Sequence, residues 1–136
     1  MAEAAHRDRI AYQYVSTFED IFRRGEPLLE AALSRALRPT WATLAVYLGF
    51  LSAFPDSHVV RKHGAAAAEE VRRNSVPLYT RLQSSEDPAY LLPDLLAWDR
   101  SLKARGFNPG TSADLTVATL FTHRLRNILP SAGNSD

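Results

Sequence analysis

Apolar residues at Ile10, Tyr14, Phe18, Ile21 and Phe22 recur three and four positions apart, the period of a helix with one buried stripe, which predicts a first helix over 7–24. Gly25 suits the end of that helix and Pro27 the first turn of the next, because glycine closes helices and proline opens them. Leu28, Leu29, Ala32, Leu33 and Ala36 give a short second helix, stopped at Arg38-Pro39. The next stretch, Thr40 to Ala53, is apolar on nearly every side (Trp41, Leu44, Ala45, Val46, Tyr47, Leu48, Phe50, Leu51). A helix without a polar face needs neighbours all round, so this one is expected at the centre of a bundle.

Beyond Pro55, Asp56 and Ser57 offer an N-cap to a turn or two over 58–63, closed by Gly64. Residues 65–83 read as a long helix with a kink or boundary at Pro77, and 84–88 as a polar loop. Asp94 is a candidate cap for a helix ending at Gly106, and a final helix is expected over 112–128, with Leu115, Ala118, Leu120, Phe121 and Leu125 as its stripe. No stretch alternates β-branched and polar residues as a strand would. The expected fold is all-α, a compact bundle of about five to seven helices around a central apolar helix. A single domain over 1–129 and a frayed tail at 130–136 complete the expectation.

Composition narrows the function classes. The chain has 136 residues, enough to bury a core without staples, and no cysteine, which excludes disulfides and thiolate zinc sites. Sixteen Lys+Arg stand against 15 Asp+Glu, so the strong positive field of a nucleic-acid binder is absent. The longest apolar run, 41–54, falls short of the ~20 residues that cross a bilayer, and residues 1–9 lack the apolar core of a secretory signal. The expectation is a cytoplasmic protein without nucleic-acid or membrane partners.

Polar chemistry gathers at two loop-to-helix junctions. The first, Asp56 to Gly64, holds a carboxylate, two imidazoles and two cations. On a helix His58, Arg61 and Lys62 share a face, a surface suited to a triphosphate, whereas His58 and His63 point roughly 140° apart and cannot form a two-histidine metal face. Read locally, Asp56 is equally a cap and the cations a solvated face. The second junction is Asn108-Pro-Gly110-Thr111-Ser112-Ala-Asp114. A tight turn feeding a helix start presents backbone N–H groups to an anion, with the Thr111 and Ser112 hydroxyls alongside. Asp114 is placed to hold a magnesium ion on phosphate oxygens or to accept a proton, and Thr111-x-x-Asp114 is also the spacing of a capping box. Neither a Walker loop nor a dinucleotide fingerprint is present. His123 and Arg124 read as surface or packing residues.

The segment from Asn108 through Asp114-Leu-Thr resembles the Pro-Gly-Gly-Ser-Ala-Asp-Leu-Leu signature near the C-terminus of the triphosphoribosyl-dephospho-coenzyme A synthase family. Asp56-Ser-His-Val-Val-Arg-Lys-His-Gly64 is similar to that family's Asp-Thr-x-Ile-x-x-Arg-Gly-Gly segment. Thr111 and Ala65 each stand where the family has a glycine, and the Thr-Pro-Lys-Pro-Gly and His-Lys-Gly segments of its N-terminal half are missing here. The resemblance thus covers this chain and only the C-terminal half of the family. It implies an all-α enzyme that transfers the triphosphoribosyl group of ATP to 3′-dephospho-coenzyme A with release of adenine. It further implies Asp114 and Asp56 as catalytic or Mg2+-binding acids, and phosphate contacts from Arg61, Lys62, His58, His63, Gly110, Thr111 and Ser112. A protein partner supplying the N-terminal half, or a homo-oligomer, would complete the site. Two alternatives stay open: a non-catalytic helical interaction module or degenerate relative, and a phosphoribosyl-type transferase of another cofactor pathway.

Overall fold

The computed structural model describes Arg9 and residues 18–129, and among them six α-helices and no strand. They are α1 (Glu26–Ser34), α2 (Pro39–Ala53), α3 (Ser57–His63), α4 (Ala65–Ser84), α5 (Leu92–Ala104) and α6 (Gly110–Ile128). A π-helical turn, Ile21–Gly25, precedes α1, and a 3-10 turn, Pro88–Leu91, precedes α5. The expected first helix and the tail at 130–136 lie mostly or wholly outside the described residues.

The apolar helix is the centre, as its pattern requires. α2 packs against α1, α4 and α6 and buries Ala42, Ala45, Val46, Leu48, Phe50 and Leu51. Its remaining flank, Trp41, Leu44 and Tyr47, is only partly covered. A smaller apolar cluster of Leu51, Val71 and Leu102, joined by Trp98 and Phe107, seats α5 and its following loop.

Gly25 does not close a helix. Its backbone is right-handed helical (φ −63°, ψ −55°), and the chain runs through it from the π turn into α1. A Cβ at this position would lie 2.2 Å from Oγ1 of Thr119 and 3.0 Å from Cζ of Phe50, so the glycine is there to let α2 and α6 approach. The widened turn also falls just ahead of Pro27, whose ring would otherwise meet the carbonyl four residues back. α1 ends in a Schellman motif with a non-glycine residue: Ala36 takes φ +59°, and Leu37 N–H donates to the Ala32 carbonyl at 3.3 Å.

Helix α4 passes through Pro77 without a boundary. Arg35 caps its far end, donating to the carbonyls of Leu82 (3.1 Å) and Ser85 (2.7 Å). α5 starts two residues ahead of Asp94, which pairs with Arg81 at 2.9 Å and caps nothing; α6 starts at Gly110, two residues ahead of expectation.

Candidate functional site

Asp56 follows the proline that ends the exit from α2 and occupies the N-cap of α3. Its Oδ1 accepts the backbone N–H groups of His58 (2.9 Å) and Val59 (3.2 Å). Its Oδ2 reaches across to α6 and accepts the N–H (2.7 Å) and the hydroxyl (2.9 Å) of Ser112. One side chain, 1 % exposed, therefore fastens together the two junctions that stand far apart in sequence. The anion drawn to the start of α6 is the protein's own carboxylate.

The neighbouring contacts tighten the same joint. Thr111, also buried, accepts the His58 N–H on Oγ1 at 3.2 Å. Asn108, Pro109 and Gly110 form an inverse γ-turn, with Pro109 at φ −74°, ψ 65° and Gly110 N–H donating to the Asn108 carbonyl at 2.8 Å. A Cβ at Gly110 would sit 3.3 Å from Cγ of His58, a tight fit against the ring. The capping box does not form, since Pro109 holds the N-cap of α6 and the first-turn N–H of Ser112 goes to Asp56 instead.

Both histidines brace the loop that enters α6. His58 Nδ1 lies 2.8 Å from the Asn108 carbonyl and His63 Nε2 lies 3.0 Å from the Gly106 carbonyl. A carbonyl only accepts, so those ring nitrogens carry the hydrogens. The His63 ring meets Phe107 edge-on, 4.8 Å between centroids. The roughly 140° between the two imidazoles lets them grip the two ends of one loop.

The remaining candidates face outward. Arg61 and Lys62 are exposed in the last turn of α3. Asp114 is exposed one turn after Gly110 on α6, and it has no hydrogen-bond or ion-pair partner among the described residues. Two cations thus end α3 and one exposed carboxylate stands near the start of α6, while Asp56, Thr111 and Ser112 are turned inward.

Beside the joint lies a cleft that sequence reading missed. Two adjoining cavities of about 460 and 440 Å³ share Leu44, Tyr47 and Leu95, between α2 and α5. The first is walled by Tyr47, Trp98, Asp99, Phe107 and Asn108, so the loop held by the histidines is also its wall. Burial pushes the Tyr47 phenol well above its ordinary range, and the carboxylates of Asp56 and Asp99 add to the shift. Tyr47 is therefore a neutral O–H donor at neutral pH. Trp98 keeps a buried Nε1–H without an acceptor among the described residues, and Lys103 pairs with Asp99 at 2.8 Å. Tyr47 reads as core from its place on an all-apolar helix; the signal that it borders a cavity was only its polar tip.

Fold and joint together define an all-helical protein in which a Pro-Gly helix start is locked to an acidic turn, with a basic rim and an apolar cleft beside it. The model of the CitG family, described as ATP:dephospho-CoA triphosphoribosyl transferase, matches residues 1–132, and the chain belongs to that family. Membership places it among the transferases of coenzyme A-derived prosthetic-group biosynthesis. No curated protein and no solved structure matches it. Among the described residues no helix is long and apolar enough to cross a membrane.

Proposed function

We propose that the chain forms part of a site that transfers the triphosphoribosyl group of ATP to 3′-dephospho-coenzyme A and releases adenine. The observation that carries this reading is the Asp56–Ser112 joint. It brings the two segments that resemble the family's signatures into one place, in a chain that belongs to that family.

In this reading the acceptor's ribose hydroxyl attacks the anomeric carbon of ATP, the bond from that carbon to the adenine nitrogen breaks, and the hydroxyl proton ends on the departing base. Arg61 and Lys62 hold the triphosphate. Asp114 takes the hydroxyl proton or binds the magnesium that accompanies the phosphates. The residues fit that ion in one respect: Asp114 is exposed and without a partner among the described residues, whereas both oxygens of Asp56 are already occupied. Bound there, the magnesium would neutralise phosphate charge. Asp56, Thr111 and Ser112 position the rim and do not touch substrate. The cleft beside Tyr47 and Trp98 is apolar and wide enough for a planar base.

A partner chain carrying the family's N-terminal half, or a second copy, supplies the rest of the site. The exposed stripe of Val117, Phe121, Leu125 and Ile128 on α6 supports that part, because an apolar helix face left in water marks a contact surface. A second reading, a helical interaction module without catalysis, draws on the same stripe and on the internal use of Asp56.

The test is adenine release from ATP with dephospho-coenzyme A and Mg2+, measured by chromatography for the chain alone and co-expressed with an N-terminal half of a family member. Asp114→Asn should abolish release, a loss of at least about a hundredfold, while shifting stability by less than about 0.5 kcal/mol. No adenine from either preparation sinks the enzymatic reading and leaves the module. Release unchanged in Asp114→Asn removes Asp114 from the site.

A further inference from the structure

Farther along α6 from the joint, α1 and α6 bring three potential metal ligands together. One carboxylate oxygen each of Glu26 and Glu30 and one ring nitrogen of His123 lie within 4.8 Å of one another. The two glutamates are one turn apart on α1, and His123 stands three turns beyond Ser112, about 16 Å along α6. Glu26 is the unusual member. It is 4 % exposed, its Oε1 meets Nη2 of Arg126 at 3.3 Å, and its Oε2 is buried with no hydrogen-bond partner among the described residues. A carboxylate oxygen withdrawn from water and left without a donor is costly, and such groups are ordinarily completed by a water, an ion or a functional ligand.

We propose that Glu26, Glu30 and His123 bind a divalent first-row transition cation, with Zn2+ as the probe, which pins α1 to α6. The donor set selects the ion: two carboxylates with an imidazole suit Zn2+ and Mn2+, whereas Mg2+ and Ca2+ prefer oxygen alone. The spacing is near what such an ion needs. Tetrahedral bonds of about 2.0–2.2 Å place ligand atoms about 3.3–3.6 Å apart, so the widest separation, 4.8 Å, closes by roughly 1.5 Å at most, a movement for the exposed Glu30 side chain.

The surroundings fit as well. Arg126 keeps Oε1 of Glu26, leaving Oε2 to the ion. The Asn127 side-chain amide lies 3.2 Å from Nε2 of His123. A cavity of about 360 Å³, lined by Leu29, Leu33, Leu120, His123 and Asn127, opens beside the His123 ring. The site is independent of the proposed transfer reaction.

Untagged protein stripped of metal by a chelator and titrated calorimetrically with Zn2+ is expected to bind one ion per chain. That binding should be at least tenfold tighter than binding of Mg2+ or Ca2+ in parallel titrations. His123→Ala and Glu26→Gln should each weaken Zn2+ binding at least tenfold, and His63→Ala, outside the cluster, should leave it unchanged. If Glu26→Gln fails to fold, the exposed Glu30→Gln takes its place with the same expectation. Absence of saturable Zn2+ binding overturns the proposal, as does a loss of less than tenfold in His123→Ala.

Discussion

Asp56 accepts four hydrogen bonds, two on each oxygen, from the starts of two helices. Bonds to a charged acceptor are the strong ones, and a buried donor left unmatched costs more than the bond itself contributed. Asp56→Asn turns one oxygen into an N–H2 that faces donors, so it should lose about 3 kcal/mol in urea denaturation, and the candidate rim should lose its geometry with it. Tyr47 makes a second residue-scale expectation. Its folded-state pKa is raised by burial first and by Asp56 and Asp99 next, so the unfolded chain releases the phenol proton before the folded one does. Stability from this group is complete below the unfolded pKa and declines as pH rises above it towards the folded value. Denaturation midpoints should therefore fall above about pH 10, and Tyr47→Phe should flatten that decline.

At the scale of elements, punctuation in the chain was a good guide to where helices meet and a poor guide to why. Pro39, Gly64 and Gly106 mark ends correctly, the glycines because both take positive φ (+92° and +70°). Gly25 looks identical in sequence and does something else, since only the approach of Thr119 and Phe50 reveals that it is a contact rather than a stop. Gly25→Ala is accordingly expected to destabilise by about 2–3 kcal/mol through overpacking, where a helix-end glycine in ordinary backbone would have gained from alanine. Calorimetric unfolding of the single variant distinguishes the two. Proline is similarly double-edged: Pro77 interrupts nothing because the rest of α4 is packed on α2 and α3. The two-residue error at the start of α6 matters more, because it moves Thr111 and Ser112 from a loop that would greet a phosphate into a first turn that greets Asp56.

For the whole molecule, the bundle was legible because hydrophobic period is a local signal and an all-apolar helix has one place to go. The joint was half legible. Its two segments were picked out, yet that they form one object depends on tertiary packing of α3 against α6. Nothing local links Glu26 to His123, and no pattern in the chain announces the unpartnered oxygen between them. The cleft beside Tyr47 was likewise invisible, since it exists where α5 leaves the flank of α2 uncovered.

The Asp56–Ser112 bonds span 56 positions of chain. Closing a loop of that length costs about 4 kcal/mol of chain entropy, so the joint cannot form ahead of the helices it connects. It also has no private way to open: parting α3 from α6 there means undoing the packing of the bundle. The amide hydrogens of Val59 and Ser112 are thus tied to global unfolding rather than to local breathing, and whatever binds at this rim binds a surface that exists only in the finished fold. Affinity for such a ligand and the lifetime of the protein against unfolding become two readings of one equilibrium.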